Sequence, residues 1–202
     1  CTVASFNFLA TRPKQGKGQT LHTLAPSLLF GFSVLGGYTT ALLALPTYLE
    51  PRFHPLVLVL GLLASSLAVF IGTTISDTAE RNLPQSILAG SIVGTGLWAT
   101  FYCILESMLI IPELEYSPGF SVGALIVTSL ICSAAFIMLP RTDGPEKTLL
   151  VSGILMSAAV LVMFAWGLPS VTIPQGSRSL AYIHKLDRET MGILVAIAVS
   201  VG

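Results

Sequence analysis

Five long stretches of this chain are apolar and carry almost no charge, and this pattern restricts the fold more than any other feature. They cover residues 26–46, 55–76, 86–111, 119–139 and 148–172. An α-helix rises about 1.5 Å per residue, so roughly 20 apolar residues cross a hydrocarbon core of about 30 Å. All five stretches reach that length. The sequence therefore predicts an all-α integral membrane protein.

A sixth apolar stretch covers residues 189–202, which correspond to about 21 Å of helix and are too few to cross a bilayer alone. We therefore expect a fragment with a truncated last helix, and a bundle of six or seven transmembrane helices. Residues 1–24 are polar and lack the apolar core of a signal peptide. They are predicted to form an N-terminal tail, and residues 25–202 the transmembrane helical domain.

Composition excludes several classes of function. The chain is 53% hydrophobic and 10% charged, and its 10 basic residues balance its 10 acidic residues. This balance gives no indication of a nucleic-acid partner, whereas the hydrophobic share indicates the lipid bilayer as a partner. No nucleotide-binding glycine loop, zinc-binding cysteine pattern or nucleophile with a nearby base is present. We therefore expect no catalytic residues and no enzyme activity.

The basic residues give a weak indication of orientation. Six spans place six basic residues on the side of the N-terminal tail and four on the other side. The positive-inside rule then favours a cytoplasmic N-terminus, and we expect the plasma membrane as the location.

An internal repeat is visible in the spacing of similar residues. Tyr48, Tyr116 and Tyr182 follow the first, third and fifth stretches, and their residue numbers differ by 68 and 66. Residues of the second stretch match the fourth at an interval of 67, and those of the third match the fifth at 63, including Phe101 and Phe164. The pattern predicts three helix hairpins. Chance is the competing explanation, because tyrosine is enriched at membrane interfaces and small residues at helix contacts.

The stretch from Gly96 to Gly119, with Gly96-Leu97-Trp98-Ala99-Thr100-Phe101-Tyr102 at its start, resembles the second unit of the MHYT family. The segment around Tyr38 and the one around Met163 are similar to the first and third units. Members of that family are membrane sensor domains built from three helix pairs. The resemblance implies a sensory input domain that binds a metal, copper in the family's proposed role, and through it a diatomic gas.

The chain departs from the family pattern at the positions that would bind the metal. Phe101 and Phe164 stand where the family has histidine, Leu105 replaces a methionine, and Met163 alone remains of the third motif. Imidazole and thioether groups bind copper, whereas a benzene ring does not coordinate. The resemblance therefore implies a degenerate member with no metal site and no cofactor.

Glu106 is the one ionisable residue well inside a predicted span, and Tyr102 precedes it by one helical turn on the same helix face. A charge in the hydrocarbon zone indicates a functional site, although Glu106 at the interface would extend to water or stay protonated. The tryptophans either pack between helices or line a pocket. The candidate ligand or sensor residues are Tyr38, Phe101, Tyr102, Glu106, Met163, Phe164 and Trp166.

The methionines and histidines of the chain could, as an alternative, bind a soft metal ion. The histidines lie in the tail and loops, and none shares a helical spacing with a methionine, so packing methionines and solvated histidines are expected instead.

Three functions stay open. The first is a sensor that passes a signal to a cytoplasmic domain after Gly202. The second is a small transporter, for which repeated helix pairs and a buried acidic residue are also typical. The third is a structural subunit that binds other membrane subunits.

Overall fold

The structure is a computed structural model, and it describes residues 19–44, 53–76, 82–108, 110–111, 114–139, 146–172 and 178–179. Five helices account for most of these residues: α1 (Gln19–Ala44), α2 (Pro55–Ser76), α3 (Leu83–Glu106), α4 (Pro118–Met138) and α5 (Glu146–Gly167). All five are long and apolar enough to cross a membrane. The prediction of an all-α membrane protein agrees with this finding. The sixth stretch, residues 189–202, lies outside the described residues.

The helix ends differ from the predicted spans most at the start of α1 and at the ends of α3 and α5. α5 ends at Gly167 instead of continuing to residue 172, because the chain passes into a short extended segment at Val171. α1 begins at Gln19 and continues through Pro26, so the last residues of the predicted polar tail are helical. α3 ends at Glu106 instead of continuing to residue 111, because the chain turns at Ser107 into a short extended segment. At its other end, the Asn82 backbone N–H donates to Gln85 Oε1 at 3.1 Å, which satisfies one free donor of the first turn.

Each even-numbered helix packs against the two odd-numbered helices that flank it in sequence. α2 contacts α1 and α3, α4 contacts α3 and α5, and α3 also touches α1 and α5 directly. Small polar residues such as Ser65, Thr100 and Thr128 are buried in this bundle, whereas Leu130 and Leu161 are 64% and 70% exposed. Small side chains inside and large aliphatic ones outside are the arrangement expected of helices surrounded by lipid.

The helices begin at a regular spacing along the chain. α2 and α4 begin at Pro55 and Pro118, and α3 and α5 begin at Leu83 and Glu146. The starts in each pair are 63 residues apart, as are Phe101 and Phe164, and we call this spacing of 63 residues the repeat interval. The interval of 63 predicted for the odd-numbered stretches therefore applies to the even-numbered ones as well. The interval of 67 predicted for the even-numbered stretches is four residues longer than the interval between these helix starts, a difference of about one helical turn.

Helix contacts recur at the repeat interval. Gly31 of α1 lies directly against Ser66 of α2, and Gly94 of α3 lies against Ser129 of α4, where a Cβ on the glycine would come within 2.6 Å of the serine Cα. At Gly94 the nearest atom belongs to the backbone, so glycine allows the two helices to approach closely there, whereas at Gly31 the nearest atom is the Ser66 hydroxyl oxygen. The two hairpins, α1 with α2 and α3 with α4, are therefore packed in the same register.

Loop segments at one end of the bundle join the hairpins through short backbone pairings. Phe53 pairs with Met108 in an antiparallel bridge, and Tyr116 pairs with Val171 in the same way, one repeat interval later. The adjacent hydrogen bonds also match: the His54 N–H donates to the Ser107 carbonyl at 2.8 Å, and the Ser117 N–H donates to the Ser170 carbonyl at 2.7 Å. A further antiparallel pair joins β1 (Ile110–Ile111) to β4 (Arg178–Ser179), beside β2 (Glu115–Tyr116) and β3 (Val171–Thr172).

Candidate functional site

Three aromatic rings from α1, α3 and α5 meet in the interior of the bundle. The ring centroids of Tyr38 and Phe101 are 5.6 Å apart, and those of Phe101 and Phe164 are 6.0 Å apart. The ring centroids of Tyr38 and Phe164 are also 6.0 Å apart, and the planes of these two rings are nearly parallel. These distances lie within the range in which aromatic pairs attract each other. We call these three residues the aromatic triangle.

The repeat explains why these three residues meet. Each follows the previous one by the repeat interval, so each occupies the same position in its own helix. The odd-numbered helices run in one direction, which brings that position to one depth in all three. Three of the residues singled out from the sequence are therefore brought together, at the positions that the MHYT resemblance assigns to its motif.

The hydroxyl group of Tyr38 is the unusual feature of the triangle. The side chain is buried, and the hydroxyl has no hydrogen-bond partner among the described residues. A buried hydroxyl without a partner costs about 1–3 kcal/mol, so a polar group facing it would be stabilising. The triangle therefore offers one free polar atom among apolar rings.

Buried sulfur and hydroxyl groups form a row on α4 and α5, and Met163 is the member of this row that was a candidate site residue from the sequence. The Thr128 hydroxyl donates to the sulfur of Met163 at 3.5 Å, and the sulfurs of Cys132 and Met156 are 3.9 Å apart. Thr128 and Cys132 are one turn apart on α4, so these two contacts with α5 lie one helical turn apart along the interface between the helices. Each half of this row sits on a different helix, and no local motif in the sequence marks it.

A second aromatic group extends from the triangle to the end of α3. Phe101 contacts the ring of Tyr102 edge-on at 5.4 Å, and Tyr102 lies 4.8 Å from Trp98 and 5.6 Å from Tyr116. The Tyr102 hydroxyl shares a hydrogen bond of 2.6 Å with Ser170 Oγ. Tyr102 therefore connects the buried triangle to the loop segment that follows α5.

Trp98 anchors this group to α4. Its indole N–H lies 3.2 Å from both the backbone carbonyl and the hydroxyl of Ser121 and donates to these oxygens. Trp98 did not stand out as a site residue in the sequence, because tryptophan inside an apolar span is most often a packing residue.

Glu106 lies at the end of the third span rather than well inside it, which is the interface position that the sequence left as the alternative. It is the last residue of α3 and its side chain is exposed, so no charge is buried there. Its carboxylate lies near the phenol of Tyr116, whose hydroxyl is buried. Burial raises the pKa of Tyr116 far above its usual value, and the Glu106 carboxylate raises it further.

Trp166 is separated from the aromatic triangle. It is 45% exposed, and its indole nitrogen faces Gly123 of α4 across the surface of the bundle. The sequence placed it with the other candidates because it is close to Phe164 along the chain. Two positions along a helix correspond to a rotation of about 200°, so the two side chains point to nearly opposite faces.

The residues of the triangle do not fit the copper ion that the MHYT resemblance implies. Two of its three members are phenylalanines, which have no donor atom, and the third is a phenol. The described residues also contain no group of three or more histidine, cysteine, aspartate or glutamate side chains placed to hold a metal.

Comparison with known protein families, with curated proteins and with solved structures finds no match to this chain.

Proposed function

We propose that this chain is a sensory membrane domain of MHYT type, made of three helix hairpins, in which the aromatic triangle detects a small uncharged molecule without a metal. The observation that carries the proposal is the convergence of Tyr38, Phe101 and Phe164 around a buried hydroxyl that has no partner among the described residues. The resemblance of residues 96–119 to the family supports the sensory role.

The chemistry of the site determines the class of ligand. The groups around the triangle are aromatic rings, thioethers, a thiol and hydroxyls, and none of them carries a charge. A charged ligand would lose its hydration there without gaining an opposite charge. A small neutral molecule with one hydrogen-bond acceptor or donor would instead fill the free position on the Tyr38 hydroxyl.

The second aromatic group supports a path for the signal. Tyr102 packs against Phe101 and is hydrogen-bonded to Ser170, next to the backbone pair that joins Ser117 to Ser170. A shift of the Phe101 ring would therefore move Tyr102 and the loop after α5. A cytoplasmic signalling domain after Gly202 is the proposed recipient of this signal.

Thermal unfolding of the full chain in lipid nanodiscs tests the proposal. The probes are dissolved nitric oxide, carbon monoxide, ethanol and acetone, each compared with buffer. At about ten times its Kd, a probe that binds the folded state would raise the melting temperature by about 3 °C. We expect such a shift from at least one probe in the native chain and none in Tyr38→Phe.

Tyr102→Phe is the matched control, because it removes a phenol from the same aromatic cluster and leaves Tyr38 in place. It should keep the shift. The sensor proposal is wrong if no probe separates the native chain from Tyr38→Phe. Flux of a solute through the chain in sealed liposomes would favour the transporter alternative.

A further inference from the structure

The threonine hydroxyls next to the aromatic triangle in the chain already have acceptors for their hydrogens. The Thr39 hydroxyl donates to the Leu35 carbonyl at 2.8 Å. The Thr100 hydroxyl donates to the Gly61 carbonyl of α2, also at 2.8 Å. Both threonines are buried, so water does not compete for these bonds. Neither hydroxyl therefore has a hydrogen to give to a ligand.

The row of sulfur and hydroxyl groups on α4 and α5 is committed in the same way. The phenol of Tyr38 lies near the thiol of Cys132. That thiol donates to the sulfur of Met156, and the Thr128 hydroxyl donates to the sulfur of Met163. All four side chains of the row are completely buried. The phenolic hydrogen of Tyr38 is therefore the one polar hydrogen of this region that has no acceptor among the described residues.

The same region is poor in acceptors. The triangle and the four side chains of the row, which we call the neutral cluster, contain no carbonyl, carboxylate or amide group. Thiol and thioether sulfurs are weak acceptors, and each of the two methionine sulfurs already receives one hydrogen. Apart from the phenol itself, the Thr128 hydroxyl is the one oxygen of the neutral cluster. A ligand in the neutral cluster therefore meets a free donor but hardly any acceptor.

From this difference we infer that the neutral cluster selects small molecules that accept a hydrogen bond and carry no polar hydrogen, such as ethers and ketones. The inference rests on the sensor function proposed above and narrows its ligand class. Tyr38 donates to the oxygen of such a ligand, and no polar group is left unpaired. An alcohol accepts the same bond but buries its own hydrogen among rings and sulfurs. That unpaired donor should weaken binding by about tenfold.

Water is the competitor that every ligand of this cluster faces. A buried water molecule typically makes about three hydrogen bonds. The neutral cluster offers it one good donor, the Tyr38 hydroxyl, and mostly sulfur atoms for its two hydrogens. Water is therefore disfavoured for the same reason as an alcohol, and an ether or ketone gains over both.

Pairs of probes that differ in one polar hydrogen test the selection. Dimethyl ether and ethanol contain the same atoms, and acetone and 2-propanol have nearly the same shape. Each Kd is obtained from the concentration dependence of the melting temperature of the full chain in lipid nanodiscs. The shift of Tyr38→Phe is subtracted, because all four probes also enter the bilayer. We expect the ether and the ketone to bind about tenfold more tightly than their alcohols.

The outcomes separate this inference from the sensor proposal. Equal or tighter binding of the alcohols, still dependent on Tyr38, would overturn the selection and leave the sensor proposal standing. Loss of that alcohol binding in Thr128→Val would then identify the Thr128 oxygen as the acceptor. If no probe distinguishes the native chain from Tyr38→Phe, both proposals are wrong.

The infrared spectrum of acetone gives an independent measurement of the hydrogen bond. A bond from the Tyr38 hydroxyl lowers the carbonyl stretching frequency below that of acetone dissolved in the lipid. We expect a second carbonyl band at lower frequency in the native chain and in Tyr102→Phe, and its loss in Tyr38→Phe. A band at the lipid frequency alone in the native chain would contradict donation by Tyr38.

Discussion

Phe101 meets Tyr38 edge-on, with the ring planes at 84°, and also meets Phe164 edge-on, with the ring planes at 88°. The hydrogen-rich edge of one ring thus faces the electron-rich face of another at both contacts. Phe101 is also completely buried at the centre of the bundle. Phe101 therefore contacts both α1 and α5 from the centre of the bundle.

Removal of the Phe101 ring should destabilise the fold. We expect Phe101→Ala to lower the free energy of unfolding by about 3 kcal/mol, because it leaves a cavity and breaks two aromatic contacts. Urea or thermal unfolding in detergent micelles measures the loss. Phe120→Ala is the control, since Phe120 is 50% exposed on the outer surface of α4. Equal losses in the two variants would contradict the assigned role of Phe101.

A methyl group added at a helix contact should be costly where the backbones touch. Gly94→Ala places a Cβ within 2.6 Å of the Ser129 Cα, so the helices must separate, and we expect a loss of about 1–3 kcal/mol. Gly119→Ala in the first turn of α4 has open space and should be neutral or slightly stabilising, because alanine favours helix. Thermal unfolding of both variants gives the comparison. A neutral Gly94→Ala would mean that α3 and α4 are not in close contact.

The five spans and the repeat could be predicted from the sequence, whereas the contents of the site could be predicted only in part. Helix length and apolar character are local properties, so a short window of the sequence is enough to detect them. The meeting of Tyr38 with Phe101 also follows from the repeat once the interval is known. The contact between Cys132 and Met156 follows from no such rule, because it depends on how α4 and α5 are rotated about their axes.

Glu106 shows a different limit of sequence reasoning. The apolar residues after it continue the hydropathy signal to residue 111, so composition alone extends the span past its true end. Backbone pairing in the loops ends the helix, and the partners of that pairing are remote in sequence.

The stability of the fold should fall at high pH through Tyr116. Burial and Glu106 raise the pKa of Tyr116 in the folded state, while in the unfolded state it is about 10. Above about pH 10 the Tyr116 phenol loses its proton in the unfolded chain but keeps it in the folded chain, so the free energy of unfolding decreases as the pH rises. Below about pH 10 the phenol is protonated in both states and does not change the free energy of unfolding. Tyr116→Phe should reduce the decrease, and Glu106→Gln should reduce it less. Unfolding curves between about pH 8 and 11 give this measurement, and an unchanged slope in Tyr116→Phe would exclude the assignment.

The two tryptophans should differ in their contact with lipid. Trp166 is 45% exposed, whereas Trp98 is partly buried and bonded to Ser121. Each tryptophan is measured alone, Trp166 in the Trp98→Phe variant and Trp98 in the Trp166→Phe variant. In liposomes with brominated lipid tails, which quench tryptophan fluorescence, we expect the fluorescence of Trp166 to be quenched more than that of Trp98. Absence of quenching in both variants would contradict the membrane location.

Purified chain should contain far less than one copper ion per molecule. The aromatic triangle has no nitrogen or sulfur donor, which are the ligands that copper prefers. Elemental analysis of the chain after incubation with Cu(I) and desalting measures the content. Stoichiometric copper that is lost in Cys132→Ala would show instead that the sulfurs of Cys132 and Met156 bind the ion.

The backbone pairings at the loop end have a consequence for how the chain is made. His54 bonds to Ser107 and Ser117 bonds to Ser170, so the partner of each loop lies beyond the next two helices of the chain. During synthesis each hairpin therefore enters the bilayer with unpaired backbone groups at its turn. These groups form their hydrogen bonds only when the first helix of the next hairpin has been inserted. The hairpins are therefore completed one after another, in the order in which they are synthesised.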